Sequence, residues 1–151
     1  MEKTLSVSAI EHGVAIDHIP AGQAIRLVSL LGLVNHKNQI TIGLNLQSKQ
    51  QGLKDIIKIH SRYLTEQEQH EVAIIAPNAT INVIEHYQVI KKIKTSSPEK
   101  IVGLLTCPNP TCITNQEPMS SYFHVKNIRE GVRLVCKFCE KSYAREEVKL
   151  A

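Results

Sequence analysis

The sequence predicts an α+β chain in two parts. A sandwich of two helices on an antiparallel sheet spans residues 1–97, and a small antiparallel β module spans residues 98–151. Three observations predict it. Before position 90, apolar residues switch between strand and helix spacing in the order β-α-β-β-α-β, the split βαβ or ferredoxin-like arrangement. The polar, proline-bearing run Lys94-Thr95-Ser96-Ser97-Pro98-Glu99 then marks a linker. Every cysteine lies beyond it, at positions 107, 112, 136 and 139.

Residues 5–10 read as a strand with Leu5, Val7 and Ala9 on one face. Gly13 permits a turn, and residues 14–19 form a second strand or a continuation. Pro20 suits the first turn of a helix, Ile25, Val28 and Leu31 recur at helical spacing, and Gly32 can end it. Ile40, Ile42, Leu44 and Leu46 alternate as a half-buried strand, and residues 54–60 make another after a loop around Gly52. Thr65-x-x-Glu68 is a capping box that opens a helix to about Ile75, stopped by Pro77. Residues 79–89, with Ile81, Val83 and Val89 alternating, form the last strand or two short ones, and Lys91, Lys92 and Lys94 follow.

The four cysteines form two close pairs, Cys107-x4-Cys112 and Cys136-x2-Cys139. Such spacing suits two knuckles joined by a hairpin and closing on one tetrahedral zinc ion, one per chain. Pro108 and Pro110 stiffen the first knuckle, and Lys137 and Lys141 partly offset the thiolate charge. Two structural disulfides, or free core cysteines, are the alternatives, but no signal peptide is visible, and such spacing then favours metal. Four sulfur ligands leave no open position, so the zinc is structural rather than catalytic. The module's core is too small to persist without it. His124, between the knuckles, is a rival ligand that the four cysteines make unnecessary.

Composition narrows the function. Hydrophobic residues make up 42% of the chain, ordinary for a folded protein, whereas aromatics are only 4%. With a net charge of +4 and no arginine cluster in the cysteine module, a nucleic-acid partner is disfavoured. The most apolar run, residues 24–34, is too short to span a bilayer and carries Arg26, so no membrane partner and a cytoplasmic location are expected. Phosphate-binding glycine loops, a spare nucleophilic cysteine and paired-histidine metal motifs are all missing, so the search for an active site returns nothing. Lys54 and Lys58 share one strand face, and with Lys91, Lys92 and Lys94 they could converge on phosphates. By pattern alone, a solubilising lysine fringe is the plainer reading. His18 and His60 read as half-exposed sheet residues, and Asp17-His18 as a turn-end pair.

Longer strings carry more. The runs Ala15-Ile16-Asp17-His18-Ile19-Pro20-Ala21-Gly22, Ile40-Thr41-Ile42-Gly43-Leu44-Asn45-Leu46 and Lys54-Asp55-Ile56-Ile57-Lys58-Ile59 occur in order. They precede Ala76-Pro77-Asn78-Ala79-Thr80-Ile81-Asn82, then Cys107-Pro108-Asn109, Cys112-Ile113, Glu117-Pro118 and Cys136-Lys137-Phe138-Cys139. Together they resemble the regulatory chains of aspartate carbamoyltransferase, over nearly the whole chain. The resemblance implies a non-catalytic subunit of pyrimidine biosynthesis. Its N-terminal domain would bind CTP, ATP and UTP as effectors and pair with a second regulatory chain as a homodimer. Its zinc domain would dock onto catalytic chains.

The resemblance also implies a nucleotide pocket of Ala9, Ile10, Asp17, His18, Lys58, Asn82, Ile84, Tyr87, Val89 and Lys92, which overturns the lysine-fringe reading. Lys92 and His18 would meet the triphosphate, and Asp17 and Lys58 the ribose hydroxyls or the base carbonyl. Ile10, Ile84, Tyr87 and Val89 would line an apolar slot, and Asn82 offers both donor and acceptor. Ser8 and Ala15 depart from the family's usual acidic residue and valine beside the pocket, which bears on effector preference. A differing loop at Ser48-Lys49-Gln50-Gln51 bears on a metal-bridged second nucleotide, which would involve Lys54.

Overall fold

In the computed structural model, residues 9–49, 52–95, 97–129 and 131–151 are described, and the chain divides into two compact units, Met1–Ser96 and Ser97–Ala151. The expected strand over residues 5–10 lies mostly outside the described residues, as do Ser8, Gln50 and Gln51; Ala9 and Ile10 are not in a strand. No helix among the described residues is long and apolar enough to cross a membrane.

The first unit contains strands β1 (Gly13–Pro20), β2 (Ile40–Ser48), β3 (Gly52–His60), β4 (Thr80–Glu85) and β5 (Gln88–Lys94), with helices α1 (Ala24–Leu30) and α2 (Glu66–Ile75). The strands form one antiparallel sheet in the order β2-β3-β1-β4-β5. Its first four strands follow the expected split βαβ order, and a fifth is added at the edge. Residues 79–89 therefore split at a turn, and Lys91, Lys92 and Lys94 lie within β5 instead of following the sheet.

One face of the sheet carries Val14, Ile16, Ile19, Ile57, Ile59 and Ile81, each at most 1% exposed. Leu27 of α1 and Val72 and Ile75 of α2 are buried with them. Burying such side chains stabilises by about 1.5–3 kcal/mol each. Thr65 caps α2: its hydroxyl accepts from the Glu68 N–H, and the Glu68 carboxylate accepts from the Thr65 N–H. Gly32 ends the first helical segment at φ 63°, as expected. Pro20, by contrast, is the last residue of β1 and not the start of a helix. Gly13 begins β1 at φ 140° instead of turning the chain, and a Cβ there would sit 2.0 Å from the Ile59 carbonyl oxygen. Only glycine permits that approach.

Asp55, fully buried in β3, does what no sequence pattern announced. One carboxylate oxygen accepts from the Gly22 and Ala24 N–H groups at 2.9 and 3.1 Å, where the chain turns into α1. The other accepts from the Asn45 N–H at 3.0 Å. Asn45 lies in a bulge where β2 slips against β3 between Gly43 and Leu46. One buried carboxylate thus ties three segments together through their main-chain N–H groups.

The second unit contains β6 (Lys100–Val102), β7 (Leu105–Thr106), α3 (Ile113–Gln116), β8 (Tyr122–Ile128), β9 (Gly131–Cys136), β10 (Ser142–Ala144) and β11 (Lys149–Leu150). An antiparallel sheet in the order β10-β9-β8-β6 is accompanied by a β11-β7 pair. Its buried apolar set is Ile101, Leu105, Phe123, Leu134 and Val148, joined by Cys107, Cys112 and Cys136.

Asp55→Ala should leave three backbone N–H groups without their acceptor, at about 1–3 kcal/mol for each that stays buried. The expected loss is about 2–4 kcal/mol, read from the denaturant midpoint of the first unit, with the second unit's transition unchanged.

Candidate ligand face and metal centre

The sheet face opposite the helices collects most of the residues expected in a ligand pocket. Along one rung, Thr41 of β2 faces Lys58 of β3, Lys58 faces Ala15 of β1, Ala15 faces Asn82 of β4, and Asn82 faces Lys92 of β5. Residues paired across strands share a face, and Val14 and Ile16 on either side of Ala15 point into the helix-side core. The rung therefore lies on the open face. Lys58 and Lys92 stand three strands apart on it, roughly 14 Å at the usual strand spacing.

The neighbouring rung puts Asp17 opposite Thr80, and Thr80 opposite Lys94. Lys94 donates to the Thr80 hydroxyl at 3.3 Å, and Lys54 pairs with Asp17 at 2.9 Å. Burial lowers the Lys58 pKa below the ordinary lysine value, and the Asp17 carboxylate opposes that shift. On the other side, Ile84 faces Val89, and Ile10, Ala15 and Ile84 form a small buried apolar cluster. Polar and charged groups thus sit at one end of the face and apolar groups at the other.

His18 occupies a bulge in β1 between Ile16 and Ile19, at φ 60°, a backbone state that non-glycine residues rarely hold. Its N–H donates to the Asp17 carboxylate at 2.7 Å. The His18 Nδ1 and Asn82 Oδ1 atoms are buried, and neither has a hydrogen-bond partner among the described residues. Buried polar atoms are almost always paired, so both atoms are candidates to hydrogen-bond a ligand at this face.

Two residues of the expected set stand apart. Ala9 is exposed ahead of β1, and Tyr87 is 66% exposed in the β4–β5 turn, where its N–H donates to the Glu11 carbonyl at 3.1 Å. His60 is half-buried as expected and meets the Thr41 hydroxyl at 3.2 Å.

In the second unit, β7 leads into the first knuckle, and the turn from the end of β9 towards β10 forms the second. One pair of sulfurs, Cys107 and Cys139, is 3.7 Å apart, as are Cys112 and Cys136, and all four lie within 4.8 Å of one another. A disulfide would require about 2.05 Å. A tetrahedral ion at about 2.3 Å from each sulfur sets the edges at about 3.8 Å, so the site fits a four-thiolate ion. His124 is exposed on β8 and is not part of this cluster.

Backbone dipoles prepare the sulfurs for negative charge. The Asn109 N–H points to Cys107, those of Phe138 and Cys139 to Cys136, and that of Lys141 to Cys139. Burial pushes the Cys107 thiol up to about 12, against the Asn109 N–H. For Cys139, burial is outweighed by the Lys141 N–H, the Asn109 amide and the neighbouring thiols, bringing it down to about 7. Lys141 therefore acts through its backbone, and the Lys137 ammonium lies 4.7 Å over the Tyr122 ring. These two side chains were expected to offset thiolate charge. Asn115, unremarked in the sequence, donates to the carbonyls of Cys107 and Asn109, both at 2.8 Å, and braces the first knuckle. Thr114 Oγ1 lies 3.1 Å from the Cys112 sulfur.

The fold and its two candidate sites describe a two-unit α+β chain, with an open sheet face on one unit and a four-cysteine metal centre on the other. The family model for the aspartate carbamoyltransferase regulatory chain, allosteric domain, matches residues 5–96, and that for the metal binding domain matches residues 99–149. A regulatory chain of Yersinia enterocolitica is 49% identical over 144 residues, covering 95% of this chain and 94% of its own. That of Aeromonas hydrophila is 46% identical with the same coverage, and that of Chromobacterium violaceum is 41% identical over 98% of this chain and 97% of its own. The chain belongs to the family of aspartate carbamoyltransferase regulatory chains. It is non-catalytic and combines an allosteric domain with a metal-binding domain.

Asn115→Ala should loosen the Cys107 knuckle without removing a sulfur. Metal affinity is expected to fall about 10–100-fold, as for other supporting groups around metal ligands, measured by competition with a chromophoric chelator.

Proposed function

We propose that the open sheet face is a nucleotide effector site, occupied competitively by CTP and ATP and also by UTP. The observation that carries this reading is the single rung holding Lys58, Asn82 and Lys92, with the orphaned Asn82 Oδ1 and His18 Nδ1 beside it. Its roughly 14 Å span leaves room for a nucleotide laid across the face. Lys92 and His18 would take the phosphates, and Asp17 and Lys58 the ribose or base carbonyl. The apolar cluster of Ile10 and Ile84, with Val89 and Tyr87, would hold the base, near Ala9.

The same reading assigns residues 1–97 to effector binding and dimerisation, and residues 98–151 to docking on catalytic chains. Dimerisation through β2 is supported by exposed apolar side chains at that edge of the sheet: Ile42 and Leu44 are 37% and 47% exposed, and neighbouring Leu53 is 43% exposed. A bare apolar edge strand invites pairing with a second chain. The four cysteines would hold one structural zinc, whose binding supplies folding energy that the small core lacks. Each effector would bias the assembly by its difference in affinity for two quaternary states, typically ~1–3 kcal/mol of coupling.

Calorimetric titration of CTP into the metal-loaded chain should give saturable binding that Lys92→Ala abolishes, with assembly on catalytic chains intact. Binding retained in that variant would sink the assignment. The lowered Lys58 pKa carries a sign: the charge that attracts phosphate or carbonyl oxygen is lost earlier as pH rises than for an ordinary lysine. Nucleotide affinity should therefore weaken on the alkaline side at a pH below the usual lysine range, and Lys58→Arg should remove that limb.

A further inference from the structure

Besides the cysteines, a second group of metal-capable side chains converges among the described residues. Glu11 and His12 lie just before β1, and His86 lies in the β4–β5 turn; one donor atom of each is within 4.8 Å of the others. The two imidazole rings meet edge to face with centroids 4.9 Å apart, and His12 Nε2 is 3.7 Å from Glu11 Oε1.

The backbone holds this arrangement. His86 and Tyr87 sit at φ 51° and 63°, the left-handed pair that a two-residue hairpin turn of the mirror-image type requires. The Tyr87 N–H donates to the Glu11 carbonyl at 3.1 Å, joining the turn to the segment before β1. The Ser61 N–H donates to the His12 carbonyl at 2.8 Å, and Gly13 beside it is pressed against Ile59. Two segments far apart in sequence are thus fixed at the level of the main chain, while Glu11 and His86 remain exposed and His12 half-buried.

We propose that Glu11, His12 and His86 form a second metal site, for a divalent transition-metal ion. Two imidazoles and a carboxylate are a donor set known from open zinc sites, in contrast to a closed cysteine clamp. An ion about 2.1 Å from each donor needs them about 3.4 Å apart, which side-chain rotation, chiefly of the exposed Glu11 and His86, can reach from the present spacing. Nitrogen and oxygen donors favour copper, nickel and zinc over manganese, and water fills the remaining positions, so the ion exchanges readily. The site borders the ligand face without belonging to it: Ile10 precedes Glu11, and Tyr87 follows His86.

The test uses the full chain with its cysteine cluster already metal-loaded. Calorimetric titration with Ni2+ should show one further equivalent. That equivalent should be lost in His86→Asn, which keeps a residue tolerant of positive φ, and weakened at least tenfold in Glu11→Gln. Substoichiometric Cu2+ should broaden the imidazole NMR signals of His12 and His86 ahead of the remaining histidines. An aromatic contact without metal affinity predicts no further equivalent. Either that result, Ni2+ binding unchanged in both His86→Asn and His12→Gln, or uniform broadening of all histidines would overturn the proposal.

Discussion

The antiparallel hydrogen bonding of β1 to both β3 and β4 is the interaction on which the allosteric unit depends. It sets Ala15 between Lys58 and Asn82, and through Asn82 it brings Lys92 onto the same rung. A slip of one residue would turn these groups into the helix-side core and bring Ile16 and Ile57 out to solvent. Two local features oppose such a slip. Gly13 fits under the Ile59 carbonyl where no side chain could. Asp55 gathers the N–H groups of Gly22, Ala24 and Asn45 at the other end of the strand pair.

The same register explains why the site contains strain. Between Ile16 and Ile19 the extra residue of β1 is taken up by a bulge, and His18 adopts a left-handed conformation within it. Such conformations cost on the order of 1–3 kcal/mol and persist only where surrounding structure over-determines them. Here β3 and β4 hold the strand on both sides, while the buried Nδ1 of His18 and Oδ1 of Asn82 lack protein partners among the described residues. Packing on one face of the sheet thus supports an unsatisfied polar arrangement on the other.

The metal-binding unit follows a different physical logic. Few large apolar side chains are buried in it, and three of the four cysteines are buried beside them. Sulfur spacings of 3.7 Å match a tetrahedral ion, and main-chain N–H groups from both knuckles already point at the sulfurs. A coordination centre at these sulfurs would supply cohesion that a larger domain obtains from hydrophobic area.

Much of this was legible in the linear chain. The capping box of α2, the stop at Pro77, the end of α1 at Gly32 and the cysteine pairs all depend on neighbours a few residues away, so local pattern sufficed. So did the strand and helix order, because it follows from hydrophobic period. What the sequence alone left open was contact across strands. Nothing local distinguishes Asp55 from a surface aspartate, or reveals that Asn115 braces the cysteine knuckle. Nor does spacing place Lys92 in a fifth strand instead of a trailing segment. The sequence by itself determined most of the first unit's helices and strands as far as β4, and which sulfurs can meet an ion. Only the tertiary structure decided which distant side chains share a rung, because register and bulges are set jointly by strands that hydrogen-bond across the sheet.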